Sequence, residues 1–318
     1  MPAKGAETAV VFVLTRGTGV ATLRRMVRDG DATAPPPFSG LLEPATFYTG
    51  PAQDEALARL EWLVAERQRC GLVVAAAGLG KSHLAVTAAR RLGGLGAEVA
   101  VLSLAGLADG EWIELLLDRL PLDAASRAEP VRPWLKLENR LRENTLMGRP
   151  TVLVVDDIDR GPSDARDGLA RLVSAAEPRF GTTAIVAIAR PEGLPLVPDA
   201  IRRRAAVRIE LPPWTAEDVA GYLASDLARS GRPDGVFSPA AAATICRFAD
   251  GVPEVIRRLA HLALAAADAE GLPLVEPALV EQVWRELSPP EDCAVRDDSD
   301  ADDAVAQPRF KAVRRLWG

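Results

Sequence analysis

Short apolar runs alternate with longer amphipathic segments between residues 51 and 212. The runs have the length and composition of buried strands, which are predicted at residues 71–74, Glu98–Leu104, Val152–Val155, Thr182–Ala189 and Ala206–Leu211. The segments between them predict helices at Ala52–Arg69, Lys81–Arg91, Glu111–Leu120, Trp134–Met147 and Asp164–Ala176. This alternation predicts an α/β fold with a parallel sheet, helices on both faces, and a ligand at the carboxyl ends of the strands.

The pattern changes after Thr215, because every later segment with clear periodicity is helical. Helices are predicted at Ala216–Ser230, Pro239–Ala249, Pro253–Glu270 and Pro277–Glu286, with Thr215 and Ser238 as N-caps of the first two. A small all-helical domain therefore follows the α/β core. We expect a division into residues 1–50 (an extension and linker, with a short strand at Ala9–Leu14), 51–212 (the core), 213–288 (the helical domain) and 289–318.

The last of these segments joins an acidic stretch to a basic and apolar end. Glu291–Asp303 has a composition typical of disorder, and Arg309–Trp317 is a short basic tail. Two interpretations of the tail stay open. In the first interpretation the tail docks on a partner or an acidic surface, and in the second it is a solvated chain end.

A glycine-rich turn follows the first predicted strand and ends in Gly80-Lys81-Ser82. A strand, a glycine-rich loop and a helix N-terminus together point backbone N–H groups at an anion. In the phosphate-loop motif the lysine reaches the β- and γ-phosphates, and the serine hydroxyl binds Mg²⁺. Lysine occurs in this chain only at positions 4, 81, 136 and 311. A compact ammonium is what a phosphate loop needs, and arginine does not replace it.

The loop departs from the motif at its first position, where Ala75 replaces glycine. A Cβ there would cost about 1–2 kcal/mol if the backbone had to adopt a positive φ. The alternative interpretation is an ordinary strand–turn–helix with a bend at Gly78-Leu79-Gly80.

A second acidic motif favours the phosphate-binding interpretation. The strand at Val152–Val155 ends in the adjacent carboxylates of Asp156 and Asp157. In phosphate-loop ATPases the first such carboxylate supports Mg²⁺ and the second acts on the attacking water. The alternative is a buried strand followed by a polar turn, with Asp159 or Asp164 capping the next helix. The order and spacing of the two motifs together predict nucleotide binding.

Composition narrows the classes of protein to which the chain could belong. A net charge of −6 provides no global basic field for nucleic acid, so DNA binding would depend on local patches. Cys70, Cys246 and Cys293 are scattered, without the spacing of disulfides or zinc sites. No apolar window reaches the length of a membrane span, and no signal peptide is recognisable. The chain is therefore expected to be cytoplasmic, without a direct membrane span.

Three segments carry a resemblance to a known family. Phe47–Leu57 resembles the F-x-x-(S/G)-x-x-H-x-E-A-L segment of the general-secretion-pathway ATPases of the ExeA type. Leu211–Tyr222 resembles their L-x-P-L-x-x-x-E-x-x-x-Y junction, and Gly251–Leu259 their G-(I/V)-P-R-x-I-N-x-L segment. The similarity runs from about Phe47 to Leu287. It implies a P-loop NTPase core of the AAA+ group followed by a helical lid. The wider group includes Orc/Cdc6-like initiator ATPases and transposition ATPases of the TniB type.

The resemblance implies roles for individual residues. ATP would be held by Ala75, Ala76, Ala77, Gly78, Leu79, Gly80, Lys81, Ser82 and His83. Ser82 and Asp156 would hold Mg²⁺, and Lys81 and Asp157 would be catalytic. Within Arg202–Arg204, Arg203 and Arg204 stand where these ATPases carry an arginine finger for a neighbouring subunit. The alternative is a solvated helix end in an arginine-rich protein.

Three departures from the family pattern affect hydrolysis more than binding. They are Ala75, Ala189 in place of a polar residue at the end of the fourth strand, and Glu254 in place of an arginine in the lid. Arg190 is the polar residue nearest to Ala189 at the end of the fourth strand, and Arg257 is one helical turn from Glu254. Because transition-state charge needs cationic stabilisation, we expect firm Mg²⁺–ATP binding and slow hydrolysis that depends on assembly.

Three functions stay open at this point. The first is an ATPase whose cycle drives assembly or remodelling of a protein partner, as a homo-oligomer and with a membrane-anchored secretion component as a candidate partner. The second is a DNA-associated ATPase of the initiator or transposition type, which would bind phosphates through arginine-rich helices. The third is a nucleotide-dependent scaffold without useful turnover.

Overall fold

A computed structural model of the chain describes residues 36–122, 132–175, 180–233 and 235–287. The predictions for Ala9–Leu14, Glu291–Asp303 and Arg309–Trp317 lie outside these residues. The strands are β1 (Cys70–Val74), β2 (Glu98–Ser103), β3 (Thr151–Asp156), β4 (Thr183–Ala189) and β5 (Val207–Glu210). The helices are α1 (Pro51–Ala65), α2 (Lys81–Gly94), α3 (Glu111–Arg119), α4 (Pro133–Leu146), α5 (Ser163–Ser174), α6 (Asp199–Arg204), α7 (Ala216–Arg229), α8 (Pro239–Phe248), α9 (Pro253–Glu270) and α10 (Pro277–Leu287).

The strands form one parallel sheet in the order β2-β3-β4-β1-β5. Every residue of β1, β3 and β4 is buried, as expected for central strands covered on both faces. The pairing places Val74 beside Ala189, and Ser103 beside Asp156. The carboxyl ends of four strands therefore meet at one edge of the sheet. The predicted α/β fold with a parallel sheet is confirmed.

Alternate residues of each strand bury their side chains in different layers. On one face Val73 packs in the same cluster as Leu60 of α1 and Leu84 of α2. On the other face Leu72 packs in a cluster that draws on α3, α4, α5 and α6. The sheet is therefore the middle of three layers, with helices covering both of its faces.

The four C-terminal helices form a helical unit, residues 216–287, with two well-defined caps. Thr215 caps α7 in a reciprocal capping box with Asp218, and the Ser238 hydroxyl accepts a hydrogen bond from the Ala241 backbone N–H. Both predicted N-caps are confirmed. The apolar faces of the unit belong to the same cluster as α1 and α2, so the unit packs against that side of the sheet.

Residues 36–47 form a strap that joins the helical unit to α2. Phe38 is 2% exposed and packs against Tyr222 and Phe237, with ring centroids 5.8 and 6.0 Å away. Its backbone N–H donates to Asp226 Oδ2 at 2.5 Å. At the other end of the strap, the Phe47 ring lies 5.0 Å from the ring of His83 on α2. The strap therefore contacts both parts of the molecule.

Two local predictions differ from the structure. Helix α1 ends at Ala65 rather than Arg69, because the chain turns at Arg67 with φ 51° before β1 begins. Helix α6 and the 3-10 helices Pro44–Thr46, Ile158–Arg160 and Pro191–Leu196 were not predicted. Each has six residues or fewer, too short for a periodic pattern to reveal it.

Two helical glycines allow a matched test of the packing on the second face of the sheet. A Cβ on Gly168 of α5 would lie 2.6 Å from Trp112 Cζ2, whereas one on Gly93 of α2 would meet nothing within 4 Å. We expect Gly168→Ala to lower the free energy of unfolding by about 1–3 kcal/mol through overpacking. Gly93→Ala should raise it by about 0.5–1 kcal/mol through helix propensity. Equal effects in denaturant unfolding would contradict this packing.

Candidate functional site

The glycine-rich loop connects β1 to α2 at the carboxyl edge of the sheet. Gly78 and Gly80 adopt positive φ values of 78° and 85°, which is where the turn requires glycine. Ala75 is not among the residues with positive φ, and its backbone N–H donates to Ala189 O at 3.2 Å. The alanine therefore continues the strand, and the strain considered for this position is absent.

Lys81 is the first residue of α2 and is 8% exposed. Its Nζ donates to Ala76 O, at the start of the loop, at 2.8 Å. Burial lowers the pKa of Lys81, and the nearby carboxylates of Asp156 and Asp157 act in the opposite direction. The ammonium is therefore held in a poorly solvated position beside a helix N-terminus. An anion bound there would be attracted by the positive charge and would accept hydrogen bonds from the free backbone N–H groups.

Ser82 and Asp156 are in direct contact, although 74 positions separate them in the sequence. The Ser82 hydroxyl donates to Asp156 Oδ2 at 2.6 Å. Burial raises the pKa of the Asp156 carboxyl, and the hydrogen bond from Ser82 opposes that shift. A hydroxyl and a carboxylate are hard oxygen donors of the kind that Mg²⁺ prefers, and Mg²⁺ usually combines few protein ligands with phosphates and waters.

The donor set of this site fits magnesium better than a metal held by protein alone. Within the described ranges, no group of three or more His, Cys, Asp or Glu side chains could hold a metal ion. Ser82 and Asp156 would thus supply two oxygens and leave the other positions to a ligand and water.

Asp157 has a left-handed backbone conformation with φ 53°. Its backbone N–H donates to Asp156 Oδ1 at 2.9 Å, and its Oδ2 accepts a hydrogen bond from Ser103 on β2 at 3.2 Å. The turn after β3 therefore directs the two adjacent carboxylates to different partners. Asp156 faces the loop serine, and Asp157 is anchored by the neighbouring strand.

His83 contacts the strap through its side chain. Its Nε2 lies 2.7 Å from Glu43 O and 3.3 Å from Thr46 Oγ1. Burial lowers the pKa of His83, so its ring carries a single proton near neutral pH. Because a carbonyl only accepts hydrogen bonds, that proton lies on Nε2. The side chain of His83 thus fastens the strap to the first turn of α2, directly after the phosphate loop.

Arg203 and Arg204 do not lie beside the loop of their own chain. The carbonyl of Ile201, in the same short helix, lies 3.7 Å from Cys70 Sγ at the amino end of β1. Arg204 Nη1 donates to Val173 O at 3.3 Å, and the Arg203 side chain is 82% exposed. The phosphate loop follows the opposite end of β1. Within one chain, the structure keeps these arginines apart from Lys81.

The helical unit approaches the loop through Glu254. The Glu254 backbone N–H donates to Gly78 O at 3.3 Å, and a Cβ on Gly78 would lie 3.4 Å from Glu254 Oε2. The structure therefore places a carboxylate next to the phosphate loop. Arg257 does not compensate for it, because its Nη1 donates to Phe38 O in the strap at 3.0 Å.

An ion pair between a buried carboxylate and a partly exposed arginine at the same edge was not predicted. Asp159, considered as a helix cap, instead accepts a hydrogen bond from Arg190 Nε at 3.0 Å. Asp164, the other candidate cap, accepts hydrogen bonds from Gly110 N and Trp112 Nε1. The sequence contained a partial signal, since Asp159 follows the two site carboxylates and Arg190 directly follows β4.

The chain is similar to known proteins in part of its sequence and in its fold. No family model matches the chain. General secretion pathway protein A from Aeromonas hydrophila is 25% identical over 240 residues, which cover 74% of this chain and 44% of that protein. The chain therefore spans less than half the length of this relative. In the described part of the chain, no helix has the length and apolar character needed to cross a membrane.

Solved structures show the same fold. Cdc6p from Pyrobaculum aerophilum has a TM-score of 0.59 at 17% identity, covering 78% of this chain and 70% of that one. The RuvB branch migration motor from Thermotoga maritima has a TM-score of 0.53 at 15% identity, covering 77% and 74%. ORC1 from Aeropyrum pernix, solved in complex with DNA, has a TM-score of 0.55 at 17% identity, covering 76% and 67%. The chain therefore has the fold of AAA+ P-loop ATPases, and part of it is similar in sequence to General secretion pathway protein A.

Proposed function

We propose that this chain binds Mg²⁺–ATP and hydrolyses it slowly, and that the cycle drives assembly or remodelling of a protein complex. The observation that carries the proposal is the 2.6 Å contact between Ser82 and Asp156, one residue from Lys81. It joins the phosphate loop to the carboxylate strand, and together these residues provide an ammonium, a hydroxyl and a carboxylate around the N-terminus of α2.

Binding would exchange internal hydrogen bonds for bonds to the nucleotide. Lys81 Nζ would leave Ala76 O for phosphate oxygens, and the first backbone N–H groups of α2 would donate to the same anion. Ser82 and Asp156 would hold Mg²⁺, which neutralises charge on the β- and γ-phosphates when it is bound. Asp157, anchored through Ser103, would orient the attacking water and accept its proton.

Slow hydrolysis follows from the charges around the loop. β4 ends in apolar Ala189, and the helical unit contributes the carboxylate of Glu254 beside Gly78. An anionic group near the phosphates opposes the charge that they carry in the transition state. The exposed Arg203 of a neighbouring copy would supply the missing cation, so we infer that turnover depends on a homo-oligomer.

The partner is proposed from the relative rather than from the site. General secretion pathway protein A indicates a secretion complex, and a membrane-anchored component of such a complex is the partner that we infer. DNA is the alternative partner, and binding that weakens steeply with salt would favour it.

Lys81→Ala tests the nucleotide site. Removing the ammonium deletes charge-assisted bonds worth about 3 kcal/mol together, so the affinity for Mg²⁺–ATP should fall about 100-fold. Isothermal titration calorimetry measures the change, and Lys136→Ala on α4 is the matched control. Unchanged ATP affinity in Lys81→Ala would refute the site.

Asp157→Asn separates chemistry from binding. Asparagine keeps the size of the side chain and tolerates the left-handed backbone at this position. ATP affinity should stay within about threefold, whereas phosphate release should fall about 10²–10⁴-fold with loss of the general base. Full turnover in this variant would remove Asp157 from the mechanism.

Mixed subunits test the arginine that would act between copies. Arg203→Ala keeps the phosphate site but lacks the arginine, whereas Lys81→Ala keeps the arginine but lacks the phosphate-binding lysine. Each variant alone should therefore be inactive. Mixing them should restore turnover, because one interface then combines both intact parts. Arg208→Ala, at an exposed arginine of β5, is the control and should keep wild-type turnover. Mixtures as inactive as the separate variants, or wild-type turnover per subunit independent of protein concentration, would contradict assembly.

A further inference from the structure

An open cavity of about 370 Å³ lies between α3, α4 and α5, on the face of the sheet opposite the helical unit. Its lining includes Trp112 of α3, Trp134 of α4, and Asp164, Asp167 and Arg171 of α5. Pockets that hold a ligand in proteins usually have volumes of about 300–1,000 Å³. This cavity is therefore large enough for bulky side chains, and none of these residues belongs to the nucleotide site.

The two tryptophans form aromatic walls of the cavity. Their ring centroids are 6.4 Å apart, and the ring planes are inclined by 64°. Both indole N–H groups are already bonded, because Trp112 Nε1 donates to Asp164 Oδ2 at 2.9 Å and Trp134 Nε1 donates to Glu138 Oε1 at 2.6 Å. Gly168 leaves room beside the rings, since a Cβ there would lie 2.6 Å from Trp112 and 3.3 Å from Trp134. The walls therefore offer apolar and π surface to an occupant rather than hydrogen-bond donors.

Carboxylates give the cavity a negative charge. Asp164 and Asp167 line it, and Glu138 contacts it through Trp134. The guanidinium of Arg171 lies 4.5 Å from the centre of the Trp134 ring and pairs with Glu138 at 3.1 Å. One cation is thus already held on an aromatic wall, and the charges of Asp164 and Asp167 attract another. The cavity suits an occupant that combines cationic and apolar side chains.

One segment of this chain has that combination. Arg309–Trp317 lies outside the described residues and contains no carboxylate. Its four cations are Arg309, Lys311, Arg314 and Arg315. Phe310, Val313 and Trp317 follow one another at intervals of three and four, which is the spacing of an apolar stripe on a helix. The segment therefore brings the charge opposite to that of the cavity, together with apolar side chains for its aromatic walls.

The chain between α10 and this segment is long enough to reach the cavity. Residues 288–308 separate Leu287, where α10 ends, from Arg309. A chain of this length spans at most about 70 Å. A compact unit of roughly 240 residues is only about 45 Å across, so the segment can pass from the helical unit to the other face of the sheet within one molecule.

Residues 123–131, which connect α3 to α4, are a second candidate occupant. They contain Asp123 and Glu129 against Arg127, so their net charge is negative, like that of the cavity. They lack the charge complementarity that Arg309–Trp317 provides.

We propose that Arg309–Trp317 docks in this cavity of its own chain, with its apolar side chains against the two tryptophans and its cations beside Asp164 and Asp167. Opposite charges orient the segment, and burial of apolar surface holds it. The basic tail is then a docked part of the molecule rather than a solvated chain end. This inference does not depend on nucleotide binding.

Trypsin tests the docking on the full chain, because it cleaves after lysine and arginine and reaches these bonds only when the segment is released. A synthetic peptide of residues 305–318 gives the rate for unprotected bonds, and mass spectrometry identifies each cut. In the wild-type chain the bonds of the segment should be cleaved about tenfold or more slowly than in the peptide. Asp167→Arg places a repelling charge in the cavity, so its rate should come within about twofold of the peptide.

Two further variants complete the test. Glu270→Arg makes the same charge change at an exposed residue of α9 in the helical unit, and it should keep the wild-type protection. Trp317→Ser leaves the cavity intact and removes an apolar contact from the segment, so cleavage after Lys311 should become about tenfold faster. Thermal unfolding at the wild-type temperature shows that each variant is folded.

Each of the opposite results would overturn the proposal. A wild-type chain cleaved as fast as the peptide would make the tail a solvated end. Protection that survives in folded Asp167→Arg, or in Trp317→Ser, would remove the segment from this cavity, and loss of protection in Glu270→Arg would make the charge effect unspecific. Protection that increases with protein concentration would assign the segment to a second copy instead of its own chain.

Discussion

The parallel arrangement of the strands is the constraint on which the site depends. Because all five strands run in one direction, the groups that follow β1, β3 and β4 converge on one edge of the sheet. Helices on both faces bury the three central strands completely. The same burial removes water from Lys81 and Asp156. It lowers the pKa of Lys81 and raises the pKa of Asp156, so the neutral form of each is favoured.

Opposite charges at this edge stabilise one another in the absence of a ligand. Lys81 lies among the carboxylates of Asp156, Asp157 and Asp159, and Arg190 adds a second cation. The carboxylates favour the charged form of Lys81, although its own burial disfavours it. An incoming polyphosphate with its metal would therefore replace existing electrostatic contacts, and its affinity reflects a difference between two well-paired states.

Long periodic segments and local motifs were predictable from the sequence, whereas contacts between distant segments were not. The five strands and the caps at Thr215 and Ser238 follow from side-chain patterns within a few residues. Strain was considered at Ala75 because alanine replaces the glycine of the motif there. The strain is absent because β1 continues beside β4 through this residue, which the local sequence does not show. The Asp159–Arg190 pair joins residues 31 positions apart and requires Gly193 above it, and no local pattern encodes that arrangement. The role of His83 likewise depends on a strap 40 residues earlier in the chain.

The strap also has a mechanical consequence. Phe38 is buried in the helical unit, while Glu43 and Thr46 bond to the residue that follows the loop serine. Fewer than ten residues connect these two anchors. Any rotation of the helical unit away from the sheet must therefore stretch this connection or release one anchor. The strap thus acts as a tether that limits how far the two parts can separate.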